Sequence, residues 1–311
     1  MPEIETSQLN GIFVIDKPAG MTSASVVARI KKLLGVRKAG HTGTLDPFAT
    51  GVMICCVNQA TKLARFFLHS SKTYEAVLEL GVETDTQDVT GTTISRHEDS
   101  DTTLKGLAEE TIRTVCRQFE GAIEQTPPIY SALKHKGVPL YKLARKGKPV
   151  QKPARQIFIS SLKIREIRLP EVCFEVSCSG GTYIRTLAAD IGASLGCGAY
   201  LKALKRIESS GFIIKEAVSL PEAEELVLSG RIADRMIPMA DALQGMPVHV
   251  ADKALAKKIM YGNMITAKEI PLARADNAEG FIRIVDKDNN LLAVITHKKE
   301  SHRYHYCCVF H

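Results

Sequence analysis

The 311-residue chain lacks several features that would have fixed its class at once. No stretch approaches the ~20 apolar residues that a membrane span needs. Its first ten residues, MPEIETSQLN, are polar and acidic, with neither a basic start nor an apolar run. They do not read as a secretory signal, so a cytoplasmic setting is expected. There are 8 cysteines, yet none forms a C-x-x-C pair, and Cys55-Cys56 and Cys307-Cys308 are adjacent. That spacing argues against a zinc ribbon or a dithiol redox site, and free thiols in a reducing compartment are expected. The phosphate-cradling G-x-x-x-x-G-K-[ST] loop is missing, as are internal repeats and low-complexity tracts.

What is present is a chain 45% apolar, enough for a large core and a smaller second one. Lys plus Arg number 41 against 34 Asp plus Glu, a formal net charge of +7. A mild basic excess fits a polyanionic partner without demanding one.

Apolar spacing gives the elements. Gly11–Asp16 and Val52–Val57 read as buried strands, and Thr73–Leu80 as a half-buried strand with Tyr74, Ala76, Leu78 and Leu80 on one face. Ser23–Leu34 reads as a helix ended by Gly35. Further helices are expected over Thr61–Leu68, Leu104–Phe119 and Thr182–Leu195. In Leu104–Phe119 the apolar side is Leu104, Leu107, Val115 and Phe119. Gln156–Arg168 and Glu171–Cys178 read as paired strands, and Arg96–Thr103 as a surface loop. Ser219, Pro221 and Glu222 mark a helix start. A boundary is expected near Gly245-Met246-Pro247. A helix over Asp252–Tyr261 follows, then strands Gly280–Val285 and Leu291–Thr296 joined by a turn through Asp286–Asn290. Strands and helices do not alternate regularly, so the expected class is α+β with a central mixed or antiparallel sheet.

Two segments break the pattern. Gln125–Pro153 is basic, rich in Pro, Gly and Tyr, and long for a connection inside a compact domain, which marks it as functional or mobile. His41–Gly51 (HTGTLDPFATG) sets Asp46 between glycines and a proline, just before an apolar strand. Pro47 biases Asp46 to extended backbone. A carboxylate held at a sheet end can serve as nucleophile or base; composition alone favours the plainer reading, an Asp-Pro turn residue.

At these residues the chain resembles the TruB-type pseudouridine synthases. The loop around Leu45-Asp46-Pro47 is similar to that family's catalytic motif. Five other segments resemble it in the same order: Asp16–Ser23 (DKPAGMTS), Lys72–Ala76 (KTYEA), Gly81–Gly91 (GVETDTQDVTG), Gln125–Ala132 (QTPPIYSA) and Gly181–Arg185 (GTYIR). The resemblance implies conversion of uridine-55 in the tRNA T-stem–loop to pseudouridine, with no cofactor and no metal. It implies that Asp46 is the essential carboxylate, that Arg185 pairs with it, and that Tyr74 stacks on the target base and handles a proton. Tyr183 and Leu204 match positions lining the uridine pocket; core packing is the plainer role for Leu204. His41 matches a histidine that replaces the flipped base within the T-loop, and Lys17 a lysine with a structural role.

The resemblance further implies that 125–153 is an RNA-clamping thumb. There Lys134, Lys136, Lys142, Arg145, Lys146 and Lys148 would meet phosphates, with Tyr130 and Tyr141 packing or stacking. The catalytic domain would span 1–245 and a PUA-like RNA-binding module 246–311. A monomer acting without guide RNA is expected, since the guide-dependent relatives lack the thumb. The rivals are a non-catalytic tRNA-binding or folding protein on this scaffold, and a metal-dependent nuclease using Asp46, Asp85 and Asp88. The terminal His302, His305, Cys307, Cys308 and His311 are poorly spaced for zinc.

Overall fold

A computed structural model of the chain describes residues 9–96, 104, 106–266, 269–270, 280–297 and 303–310. The first eight residues, most of the expected Arg96–Thr103 loop, and His302 and His311 lie outside the described residues.

One large mixed sheet organises residues 11–238. Its strands are β1 (Gly11–Lys17), β2 (Ala39–His41), β3 (Thr50–Val57), β4 (Lys72–Leu80), β5 (Gly121–Gln125), β6 (Arg155–Arg168), β7 (Glu171–Cys178), β8 (Ala199–Ser209) and β9 (Val218–Ser219), with two further short strands. The order across the sheet is β9-β1-β3-β8-β4-β7-β6-β5, and β2 flanks β3. β1 and β9 run parallel, as do β3 and β8; the other neighbours in that order are antiparallel. The mixed sheet agrees with the α+β expectation.

The helices α1 (Ser23–Leu33), α2 (Glu109–Arg117), α3 (Ile184–Ser194) and α4 (Leu220–Leu228) pack on this sheet. Thr22 caps α1 by accepting from the Ser25 amide, and Gly35 takes the left-handed φ of 62° that ends it. Ser219 caps α4 from the Glu222 amide, with Pro221 in the first turn.

A second sheet is built from β10 (Val248–Val250), β11 (Ile265–Thr266), β12 (Phe281–Val285), β13 (Leu291–His297) and β14 (Arg303–Val309), in the order β10-β12-β13-β14-β11, with α5 (Lys253–Met260) against it. It has its own apolar cluster around Leu255, Ile259, Ile284 and Ile295. Its other side shares a cluster with the large sheet, where Val285, Leu291, Val294 and Phe310 meet Ile12, Val14, Val52 and Leu63.

Two sequence expectations need correction, and two segments hold more regular structure than the sequence pattern reveals. Thr61–Leu68 is not one helix: a 3₁₀ segment, Asn58–Leu63, runs into the single turn Ala64–Phe67. Within Leu104–Phe119 the regular helix is Glu109–Arg117, and its fully buried side chains are Ile112 and Cys116; Val115 and Phe119 pack at the margin. Gln125–Pro153 is not devoid of regular structure. It holds a small hairpin (Lys134–His135 with Val138–Pro139) and the short helix Leu140–Ala144. Finally, β8, central in the large sheet, went unread in the sequence. Its alternation is broken by irregularities between Leu201 and Ala203 and between Arg206 and Glu208, so no period-2 pattern runs its length.

Candidate active site

The His41–Gly51 loop is pinned from several directions. The Ser23 hydroxyl accepts from the Leu45 amide at 2.8 Å and donates to the Leu45 carbonyl at 3.0 Å. The Gly20 amide donates to the Pro47 carbonyl. The Lys17 ammonium, wholly buried, donates to the carbonyls of Pro18 (2.9 Å), Pro47 (3.2 Å) and Ala49 (2.6 Å). Burial brings the Lys17 pKa down to about 8 against the opposing pull of Asp46, and Arg206 adds to the drop. The residues of Asp16–Ser23 thus act as a clamp on the Asp46 loop. Lys17 does what its structural reading expects.

At Gly51 the backbone needs φ = 102°, and a Cβ would collide with the backbone of Arg206. Only glycine lets β3 approach β8 this closely where the loop rejoins the sheet.

Asp46 faces Arg185 of α3. The Arg185 Nε donates to Asp46 Oδ2 at 2.8 Å and Nη2 to Oδ1 at 3.4 Å, a two-pronged grip. Arg185 is 4% exposed, and its remaining donors reach the Thr86 carbonyl (2.8 Å) and the Tyr130 carbonyl (2.9 Å). Asp88 lies 3.5 Å from the same Nε and is itself buried. The Asp88 Oδ1 accepts from Thr86, from the Thr90 amide and from the Thr90 hydroxyl. One guanidinium therefore ties together three sequence motifs: the Asp46 loop, the TDTQD turn and the start of the 125–153 segment. Asp85 sits apart, accepting from the Thr92 amide. Among the described residues no cluster of three or more His, Cys, Asp or Glu side chains could hold a metal.

Asp46 opens onto a cavity of about 330 Å³, lined also by Lys72, Tyr74, Ser131, Tyr183, Arg185, Leu204 and Arg206. This is the lower end of the range for small-molecule sites and suits a single nucleoside rather than a duplex. Tyr74 enters from β4 and is 6% exposed; burial raises its pKa, with Arg206 partly offsetting that. Tyr183 caps α3. Its amide donates to the Gln125 side chain and its carbonyl accepts from the same amide group, while the Arg155 guanidinium lies over its ring at 5.1 Å. Leu204 projects from β8 and belongs to the core as well as to the cavity wall.

His41 stands on β2 and is not among the lining residues. Among the described residues its buried Nδ1 has no hydrogen-bond partner, and burial, followed by Arg206, lowers its pKa. In the 125–153 segment, Lys134, Lys136, Lys142, Arg145, Lys146 and Lys148 line the surface, and Arg145 lies 5.7 Å over the Tyr141 ring.

Sequence reasoning missed three cavity-lining cations, Lys72, Arg155 and Arg206. Lys72 donates to the Phe67, Leu68 and Ser70 carbonyls. Its pKa falls to about 8 through burial, then through the neighbouring Arg206. Lys72 stands first in the KTYEA motif; Arg206 carried no signal because β8 itself was unread.

Fold and site together define a pseudouridine synthase. Residues 31–184 match the model for the TruB family pseudouridylate synthase (N terminal domain), and residues 185–244 that for the tRNA pseudouridylate synthase B C-terminal domain. The chain belongs to the TruB family. It is similar to tRNA pseudouridine synthase B of Syntrophotalea carbinolica, 44% identical over 84% of this chain and 84% of the relative. The protein of that name from Geobacter sulfurreducens is 47% identical over 76% of each chain. Among solved structures, one chain of a Cbf5-Nop10-Gar1 complex superposes with a TM-score of 0.74 at 26% identity, covering 96% of this chain and 84% of its own. An archaeal box H/ACA sRNP Nop10-Cbf5 complex shares the fold at a TM-score of 0.70 and 23% identity. No helix of the described residues is long and apolar enough to cross a membrane.

Proposed function

We propose that this chain acts on uridine-55 of the tRNA T-loop, with Asp46 as the reacting carboxylate. The protein is an isomerase that forms pseudouridine in tRNA. The observation that carries the residue assignment is the Asp46–Arg185 pair at a nucleoside-sized cavity. A base in a folded loop reaches such a site only when rotated out of the stack, at a cost of a few kcal/mol. Tyr74, Tyr183 and Leu204 would then enclose the extruded uracil. Arg185 grips both Asp46 oxygens and fixes their direction at the cavity, which orients the carboxylate for attack or proton transfer. His41 would fill the gap the base leaves.

The surface lysines and Arg145 of 125–153 fit phosphate contacts, and the second sheet fits a PUA-like RNA-binding module at 246–311 following a catalytic domain at 1–245. Such a chain would act alone, as a cytoplasmic monomer without guide RNA.

The test is mass-spectrometric mapping of pseudouridine in an unmodified tRNA transcript. Wild type should convert one uridine in the T-loop. Asp46→Asn should give no product while binding the transcript within about threefold of wild type, since it removes reactivity and leaves the RNA-binding surface in place. Product from Asp46→Asn near the wild-type rate, or conversion outside the T-loop, would defeat the assignment.

A further inference from the structure

Arg206 is the bulkiest of the fully buried side chains, and among the described residues it forms no ion pair. Arg185, by contrast, has two carboxylates within 3.5 Å. A buried cation lacking a counter-charge is costly, and an apolar side chain of similar volume would fill the space at less expense. The charge therefore needs a reason, and its surroundings supply one.

The guanidinium is immobilised by backbone. Its Nε donates to the Val52 carbonyl at 2.7 Å and its Nη2 to the Gly43 carbonyl at 3.2 Å. Those carbonyls bracket the Asp46 loop. In the antiparallel register of β8 and β4, Arg206 stands directly opposite Tyr74, so the two side chains rise from the same face of the sheet. Both line the cavity that Asp46 opens onto, and the Arg206 charge acts on the phenol, opposing the rise that burial imposes on its pKa. A phenol has one proton to donate. If a fixed cation donates to its oxygen, that proton must point away from the cation.

We propose that Arg206 is the positioning residue for Tyr74: it holds the phenolic oxygen in place, turns the hydroxyl proton toward the cavity, and supports negative charge on the oxygen whenever that proton is shared. This rests on the reading of Tyr74 as an active-site residue, and it assigns Arg206 a role exerted through Tyr74 rather than on the RNA.

A double-mutant cycle tests it. Wild type, Arg206→Gln, Tyr74→Phe and the double variant are compared by tritium release from C5-labelled tRNA transcript under single turnover. Filter binding and thermal melting are measured on the same preparations. Arg206→Gln should slow the reaction by about 100-fold, a typical contribution of a positioned acid–base group. Its RNA affinity should stay within about threefold. Arg206→Lys should recover part of the rate. In the Tyr74→Phe background the Arg206 change should cost less than about threefold, because its route of action is gone.

An undiminished effect of Arg206→Gln in the Tyr74→Phe background would overturn the proposal. So would a loss confined to affinity, or no loss of rate. Should Arg206→Gln fail to show a cooperative melt, Arg206→Lys takes its place in the same cycle, judged by the same coupling. Wild-type turnover by Tyr74→Phe would instead remove the Tyr74 reading, and the inference with it. An impaired Tyr74→Phe without coupling removes the inference alone.

Discussion

Arg185 ties the buried TDTQD turn to the carboxylate proposed to react, so its replacement should be felt in stability and in turnover. Its charge is shared between Asp46, whose side chain is 31% exposed, and Asp88, whose side chain is 6% exposed. Its other donors satisfy the carbonyls of Thr86 and Tyr130. Replacing it by Met leaves a buried carboxylate unpaired and two acceptors orphaned. The expected loss is about 3 kcal/mol or slightly more, the lower part of the range for a broken buried pair, because Asp46 keeps some water. Urea denaturation would measure it, and product formation should vanish together with the stability. Arg185→Lys retains the charge but not the fork. It should therefore regain more stability than activity, and equal recovery of the two would argue against a geometric role. Asp46, Tyr74 and Arg185 could all be read from the sequence, because each sits in a short contiguous motif. Asp88 could be read only as part of a motif; its nearness to Arg185 depends on the TDTQD turn folding back on α3.

At the scale of elements, the loop and the strands that hold it are one unit, so a change at either end should be felt at the other. Gly51→Ala forces a Cβ into the Arg206 backbone at a φ few L-residues adopt. Backbone strain alone costs of order 1–3 kcal/mol, and parting β3 from β8 adds to it. The variant should melt well below wild type, and its residual folded fraction should be poorly active because Arg206 and the Asp46 loop shift together. Lys17 tests the other end. Its folded pKa, about 8, lies below the ordinary 10.5. Between those values the unfolded chain holds a proton that the folded chain has released, so raising the pH from about 8 to 10.5 favours folding at this site. The stability of wild type relative to Lys17→Met should therefore rise across that window and stay flat below it. Parallel denaturant curves at pH 7 and pH 9.5 would check the sign.

The same elements mark the limit of what the sequence made legible. β1, β3, β4, β6 and β7 could be read because their apolar residues alternate or run together, and α1 and α4 because their end signals are written in Gly35, Ser219 and Pro221. β8 could not, since two irregularities disrupt its alternation and its Lys and Arg residues look solvated until Arg206 is seen beneath the loop. β14 was hidden too: its Arg, His, Tyr and Cys run suggests a polar tail, yet it pairs with β13 and leaves Tyr304 buried.

Over the whole molecule, the second sheet packs on the first and is bonded to the 58–67 segment that follows β3. Phe66 meets Phe281 edge-on at 5.2 Å, Lys62 donates to the Val309 carbonyl at 2.7 Å, and Val285, Leu291, Val294 and Phe310 complete a cluster begun by β1 and β3. The surface cations of 125–153 are placed quite differently, for no carboxylate neutralises them by an ion pair among the described residues. Arg145 stacks on Tyr141, but no ion pair ties these charges to the fold, so removing them should leave it intact. Changing Lys134, Lys136, Lys142, Arg145 and Lys146 together to Gln should shift the melting transition little, since surface changes seldom exceed about 0.5 kcal/mol each. RNA binding should respond strongly. Every phosphate that the protein no longer neutralises makes the slope of log affinity against log salt shallower by about 0.7–0.9. The substituted protein should bind the transcript more weakly at low salt, converge with wild type as salt rises, and turn over bound RNA at an unchanged single-turnover rate. A salt slope identical to wild type would mean that these side chains face water rather than phosphate when RNA is bound.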